Sequence, residues 1–132
     1  MSGCVFCKIV KGGLTSEKIW ENKDFFAFLD ANPVNLGHTL LIPKNHVDYI
    51  FDLEEPLYSE IFKISKRLSG SLKKATKAKR IGIAVEGFSV PHTHIHLIPL
   101  NGANELDPCR AVKATQEELS KIAVKIRKQI KA

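Results

Sequence analysis

The stretch Val90-Pro91-His92-Thr93-His94-Ile95-His96-Leu97-Ile98-Pro99 carries three of the chain's five histidines, at alternate positions. Alternation is the period of a β-strand, whose successive side chains point to opposite faces. Read as a strand, the stretch sets His92, His94 and His96 in a row on one face, roughly 6–7 Å apart step to step. Thr93, Ile95 and Leu97 take the other face. On a helix, residues two apart do not face each other, and the three would scatter. A buried neutral imidazole needs a partner for each ring nitrogen, and a solvated strand face is more often Lys, Thr and Glu. Three imidazoles in register therefore point to function. Three chemistries stay open at this level: a metal site, a site for phosphate or another polyanion, and nucleophilic attack by an imidazole.

The rest of the chain arranges itself around this row. Val5, Phe6, Ile9 and Val10 have helical spacing, stopped by Gly12-Gly13. Lys18–Glu21 and Phe25–Leu29 read as short strands across the Asn22-Lys23-Asp24 turn, and His38–Pro43 reads as a third. Asp52 and Glu55 before Pro56 resemble a capped helix start. Leu57, Ile61, Ile64, Leu68 and Leu72 then keep one face apolar to about Lys77. Ile81–Val85 is a fourth strand, joined through Glu86-Gly87-Phe88-Ser89 to the histidine strand, the fifth. Thr115-Gln116-Glu117-Glu118 is a capping box, and Leu119, Ile122, Ala123, Ile126 and Ile130 make the inward face of a last helix. Five strands with two separated long helices predict an α+β fold rather than a parallel βαβ array. Residues 1–132 read as a single domain.

Composition narrows the function classes. Hydrophobic residues are 44% and charged residues 26% of the chain, an ordinary globular profile. No apolar run is long enough to span a bilayer, and Met1–Lys8 lacks the basic head and apolar stretch of a signal peptide. The expectation is a cytoplasmic protein with no membrane association. The formal charge of +6 sits largely on helical faces and helix C-termini, where lysines are solvated and favourable to the dipole. No basic groove interleaved with aromatics is visible, so a nucleic-acid partner is not expected.

Cys4 and Cys7 form C-x-x-C, and Cys109 is a third, unpaired cysteine. An odd count without a secretory signal argues against a disulfide scaffold. A redox motif would follow a strand at a helix N-terminus, and too few residues precede Cys4 for that strand. Half of a zinc site, completed by His46 and one histidine of the row, and a pair of plain buried thiols both remain. If an imidazole is the nucleophile, phosphorus is a suitable electrophile, because a phospho-imidazole is reactive enough to be hydrolysed in a second step.

Beyond these readings, the sequence resembles the histidine triad (HIT) family, closest to its Hint-like branch. The resemblance runs through Cys4-Val5-Phe6-Cys7-Lys8-Ile9, Phe28-Leu29-Asp30, Gly37-His38-Thr39-Leu40-Leu41-Ile42-Pro43-Lys44-Asn45-His46 and the histidine row with its proline. It implies a five-stranded antiparallel sheet with two main helices, joined into a larger sheet across a homodimer. It also implies hydrolysis or transfer at the α-phosphate of a nucleotide, such as a purine nucleoside phosphoramidate or another nucleoside monophosphate (AMP-type) derivative. His94 matches the nucleophile that forms a nucleotidyl-histidine intermediate, His96 a phosphate-side helper, and His38 a fourth histidine beside them. Phe6, Ile9, Phe28 and Ala31 match the base pocket, and Asp30 matches a carboxylate for the ribose hydroxyls. Ser89, with His94 and His96, matches the phosphate contacts. In zinc-bearing members the ligands match Cys4, Cys7, His46 and His92. Where the family usually has an Asn-x-Gly loop and then Ala-Gly-Gln, this chain has Ile83-Ala84-Val85-Glu86-Gly87-Phe88-Ser89. The departure motivates an alternative, a nucleotide-binding or interaction module with little or no catalysis.

Overall fold

The computed structural model describes residues 3–130; the two residues at each end of the predicted domain, including Lys131, lie outside the described residues. A short helix α1 (Val5–Val10) comes first, with Cys4 as its N-cap and the Cys7 amide donating to Cys4 Sγ at 3.4 Å. Strands β1 (Lys18–Glu21), β2 (Phe25–Leu29) and β3 (Thr39–Pro43) follow, then helix α2 (Leu57–Thr76). Strands β4 (Arg80–Ala84) and β5 (Ile95–Leu100) and helix α3 (Gln116–Gln129) complete the order. The strands form one sheet in the order β1-β2-β3-β5-β4, antiparallel at every step. This is the α+β, five-stranded antiparallel arrangement that the sequence predicts. Among the described residues no helix is long and apolar enough to cross a membrane.

The strand period divides the side chains between two apolar clusters. Phe25, Ala27 and Leu29 of β2, Leu41 of β3, and Ile95 and Leu97 of β5 face α2 and α3. They pack there against Ile61, Ile64, Leu68 and Leu72 of α2 and Leu119, Ile122, Ala123 and Ile126 of α3. Burial at ~25 cal/mol per Å² of apolar surface makes this the fold's main source of stability. The residues between them, Phe26, Phe28, Leu40 and Ile42, face the other way and pack under α1 with Cys4, Phe6 and Cys7. Leu40 pairs with His96 across the β3–β5 ladder, so His96 lies on the α1 side. The predicted capping box is present: Thr115 accepts from the Glu118 amide and the Glu118 carboxylate accepts from the Thr115 amide.

Two elements differ from expectation. The ladder of β5 begins at Ile95, so His92 and His94 precede the strand rather than lying in it. Pro91 has no N–H to offer a ladder, and the Thr93 amide and hydroxyl are both spent on the Val47 carbonyl, each at 2.7 Å. The backbone is thus pinned to the loop after β3 instead. The alternation survives without the ladder: Thr93, Ile95 and Leu97 are buried, and the His94 and His96 rings stand 5.0 Å apart. The second difference is the start of α2. Asp52 does not cap it; Asp52 ends a 3-10 turn (Ile50–Asp52), and the helix starts at Leu57 with Pro56 as N-cap. Glu55 accepts from the Ser59 amide and hydroxyl and supplies the capping acceptors instead.

Gly37 enters β3 with φ +101°, and a Cβ there would lie 2.6 Å from Thr76 Cγ2 and 3.3 Å from Pro99 Cγ. Both the left-handed backbone and the close approach require glycine. Gly37→Ala is therefore expected to destabilise the protein by about 2 kcal/mol or more, read as a lower urea midpoint with an unchanged slope. An unchanged midpoint contradicts this account.

Candidate functional site

Backbone groups can only donate (N–H) or only accept (C=O), so each imidazole bonded to one has its tautomer set. The Val34 amide donates to His38 Nδ1 at 3.1 Å. His38 is therefore protonated at Nε2, and this N–H donates to His96 Nδ1 at 2.9 Å. His96 in turn carries its proton at Nε2. His94 Nδ1 lies 2.7 Å from the His92 carbonyl and donates to it, which leaves the lone pair of His94 at Nε2. His92 Nε2 donates to the Pro43 carbonyl at 2.8 Å, which leaves its lone pair at Nδ1. Burial lowers the proton affinity of His92 and His96, and it lowers that of His38 to about 4 despite the Asp30 carboxylate nearby. At neutral pH the three are uncharged, as these tautomers require.

The lone pair of His92 faces sulfur. Its Nδ1 lies 3.3 Å from Cys4 Sγ and 3.5 Å from Cys7 Sγ, and His46 Nδ1 lies 3.4 Å from Cys7 Sγ. Four donors of the type Cys₂His₂ thus converge, three buried and His46 half-buried. Tetrahedral bonds of about 2.3 Å to sulfur and about 2.05 Å to nitrogen give S···N edges of about 3.5 Å, which the three distances match. A metal-ligating histidine ordinarily donates its other N–H to a carbonyl or carboxylate, as His92 does to Pro43. Burial and the neighbouring Cys4 raise the Cys7 thiol above its ordinary pKa, a cost that a cation in the cluster would remove. A second group, Asp30, His38 and His96, also has its candidate ligand atoms within 4.8 Å of one another. Chemistry excludes it as it stands: the Val34 amide keeps the His38 proton on Nε2, so no lone pair is left there for a cation.

Two cavities flank the row. Phe6, Ile9, Phe28, Asp30 and Ala31 all line one of ≈ 250 Å³ together with Leu40 and Leu119. Phe6 and Phe28 meet edge to face at 5.6 Å, and Phe6 also meets His94 edge to face at 5.0 Å. Phe6 is therefore the wall between that cavity and the histidines. Asp30 Oδ1 accepts from the Asn32 amide at 2.9 Å, while Oδ2 stands 3.7 Å from His38 Nε2. His94 lines a second cavity of ≈ 620 Å³, walled by Tyr49, Phe51, Phe62, Ile83, Val85 and Phe88. Ser89 is exposed on the β4–β5 loop and lines neither cavity. Sequence reasoning missed this aromatic cavity and the backbone groups that set the tautomers. Tyr49 caps and Phe51 lies in the 3-10 turn Ile50–Asp52, which is too short for a period to announce a shared wall, and Val34, Pro43 and His92 act through main-chain atoms.

Comparison with known proteins places this geometry. The HIT domain family model matches residues 11–103. An uncharacterized HIT-like protein of Borreliella burgdorferi is 37% identical over 106 residues, 75% of this chain and 76% of its own length. The adenosine 5'-monophosphoramidase HNT1 of Saccharomyces cerevisiae is 36% identical over 99 residues, 74% of this chain and 63% of the yeast protein. Among solved structures, a Hit-like protein involved in cell-cycle regulation from Bartonella henselae has a TM-score of 0.86 at 27% identity, covering 98% of both chains. A Zn-bound histidine triad family protein from Mycobacterium smegmatis has a TM-score of 0.82 at 25% identity, covering 97% of this chain and 93% of its own. Sequence and overall fold agree, and the chain belongs to the histidine triad (HIT) family.

Proposed function

We propose that this protein is a nucleotide hydrolase, acting on a nucleoside phosphoramidate or related nucleotidyl substrate at the α-phosphate through an intermediate on His94. The observation that carries the reading is the pair of opposed tautomers: a bare Nε2 on His94 next to a histidine, His96, whose Nε2 bears a proton. The relation to adenosine 5'-monophosphoramidase HNT1 supports the same class. In this reading the base enters the cavity of Phe6, Ile9, Phe28 and Ala31, and the ribose hydroxyls bond to Asp30 Oδ2. Ser89 and His96 contact the phosphate. His94 Nε2 forms the bond to phosphorus as the P–N bond breaks. The electron pair leaves with the amine nitrogen, which takes the His96 Nε2 proton; His96 is left as an imidazolate whose Nδ1 still accepts from His38 Nε2–H and whose charge the adjacent His94 cation offsets until water restores the proton. The ring of His94 becomes cationic, and its Nδ1–H stays on the His92 carbonyl, which favours that charge. Water then attacks phosphorus, its proton returns to His96, and His94 leaves with its lone pair restored. His38 keeps His96 in the donating tautomer.

Zinc is proposed for Cys4, Cys7, His46 and His92, a structural cation holding α1 against the approach to β5. It supplies no chemistry to the reaction in this reading. The reading also takes residues 1–132 as one HIT domain and extends to a homodimer. Strand β4 ends the sheet, and Ile83 on it is 48% exposed, so a second copy pairing there would cover an edge that proteins seldom leave bare.

His94→Ala is expected to lower kcat on adenosine 5'-phosphoramidate by about 10³-fold or more while AMP still binds. Mass spectrometry of the acid-sensitive adduct should locate it on His94 in the parent protein. Unimpaired turnover in the variant rules the mechanism out, and AMP affinity without any turnover in the parent protein favours a binding module. Metal analysis should find about one zinc per chain, and chelation should lower the melting temperature; no zinc and no shift would remove the assignment. A third expectation concerns acid. Because His38 holds its proton only below about 4 in the fold, against 6.5 ordinarily, the unfolded chain alone takes that proton up between those values. Stability from this group is full above the upper value and declines as pH falls through the window, by up to about 3 kcal/mol. Burial of His96 acts in the same direction. Urea midpoints measured from neutral pH to about 4 test this, and a flat profile contradicts it.

A further inference from the structure

The cavity of Phe6, Ile9, Phe28 and Ala31 is apolar along its sides, yet two polar residues outside the family-like segments also line it. Glu17 comes from the chain just before β1, and Gln116 opens α3. Backbone bonds bring both to the cavity. The Leu29 amide donates to the Glu17 carbonyl at 3.0 Å, and the Ala114 amide donates to the Ala31 carbonyl at 3.0 Å. No Lys, Arg or His lines this cavity. Thr15 and Ser16 do, but a hydroxyl donates or accepts as its partner requires and so does not discriminate. The carboxylates of Asp30 and Glu17 accept only. What the cavity can read in a base therefore turns on which way the Gln116 amide faces.

Its partners decide. Gln116 Nε2 lies 2.8 Å from Glu17 Oε2 and 3.3 Å from Ser120 Oγ. Ser120 Oγ also lies 3.2 Å from Glu17 Oε2. It bonds there only by donating, because an ionised carboxylate has no hydrogen to give. The lone pairs of Ser120 are then free to accept from Gln116. Turned over, the amide would set its oxygen 2.8 Å from a carboxylate oxygen with no hydrogen between them. Glu17 is itself tied to α3, with Arg127 Nη1 at 3.7 Å from its Oε1 and donating to the Lys18 carbonyl at 2.6 Å. Both N–H groups of Gln116 are thus spent, and Oε1 has no partner among the described residues. A free carboxamide offers a donor and an acceptor; this one offers the acceptor alone.

We infer that Gln116, locked by Glu17 and Ser120, is a specificity-determining residue that makes this site select a 6-aminopurine, adenine, over 6-oxopurines. This rests on the reading above for placing the base in this cavity. With the ribose on Asp30, the 6-substituent lies at the end of the purine away from the sugar. An amino group there donates to Gln116 Oε1. An oxo group there sets acceptor against acceptor, and each loses water without gaining a bond. A site built on such a hydrogen bond rejects the wrong base more strongly than an apolar pocket rejects a small change of size.

The test measures calorimetric affinity for AMP, purine riboside 5'-monophosphate and IMP, which carry an amine, a hydrogen and an oxygen at that position, beside turnover of the three matching phosphoramidates. AMP is expected to bind about tenfold or more tightly than IMP, with purine riboside monophosphate between them. Gln116→Leu should collapse the AMP-to-purine riboside ratio towards one, a readout that a general loss of stability does not produce. Glu17→Gln supplies an amide that can donate to Gln116, which frees that side chain to turn and present its N–H. IMP should then gain on AMP by about threefold or more. Equal affinities in the parent protein overturn this inference, and turnover of all three phosphoramidates alongside leaves the hydrolase reading standing. The expected order of affinities without turnover supports the inference and removes the hydrolase. No binding of any of the three overturns both. A ratio that Gln116→Leu leaves as it was assigns the discrimination to other groups, and the inference fails.

Discussion

The carbonyl of Pro43 accepts from His92 Nε2, the carbonyl of His92 accepts from His94 Nδ1, and the amide of Val34 donates to His38 Nδ1. These three main-chain contacts give four imidazoles different properties. His92 offers a lone pair to the cysteines, His94 offers one away from them, and His96, through His38, offers a proton. A side-chain partner could rotate or titrate and let the tautomer change; a backbone group held in a sheet or tight loop cannot. The division of roles along the row is thus built into the path of the chain. It holds only while Thr93 keeps the segment before β5 pinned to Val47.

That pinning depends on the two faces of the sheet being unlike. On the α2–α3 side, Leu41, Ile95 and Leu97 are buried in a wholly apolar cluster, and this surface stabilises the strand order. On the α1 side the same strands carry Phe28, Leu40 and the histidines, where each buried imidazole nitrogen must be satisfied or lose several kcal/mol. Among the described residues no buried side-chain nitrogen or oxygen lacks a partner. Burial then works for the chemistry: it keeps His38, His92 and His96 neutral, and only neutral rings can alternate lone pair and proton as these do. Gly37 belongs to the same constraint, since its left-handed turn lets His38 enter β3 beneath His96.

Periodicity made most of this legible in the sequence. All five strands and all three helices lie where the apolar spacing put them, and the alternation of His92, His94 and His96 with Thr93, Ile95 and Leu97 correctly divides the two faces. The capping box at Thr115 was readable because its two hydrogen bonds join residues three apart. The start of α2 was not, because Asp52 and Glu55 both have capping chemistry and only the 3-10 turn decides between them. The strand boundary at Ile95 was hidden for a related reason: side-chain alternation persists in any extended chain, whether or not its amides join a ladder. Least legible were the tautomers and the aromatic cavity. The former rest on main-chain atoms that every residue has. The latter is assembled from Tyr49, Phe62 and Phe88, which lie on three separate elements.

The network and the loop beside it answer differently to substitution. His38 is 3% exposed and bonded at both nitrogens, so any other side chain there leaves an unpaired buried group or a cavity, and the fold bears the loss. Glu86, Phe88 and Ser89 are exposed on a connection whose turn needs only Gly87. Their side chains can change with little effect on the sheet, yet Glu86 and Phe88 line a cavity that His94 also lines. In such an arrangement the buried imidazoles are tied to stability, and the loop beside them is not. The family-like segments of this chain, the strand entered through Gly37 and the histidine row, are those under the first constraint. The approach to the row, Glu86 to Ser89, which the sequence reading sets apart from the usual family motif, is under the second. Substitutions at Glu86 or Phe88 would therefore leave the tautomers set by Val34, Pro43 and His92 as they are.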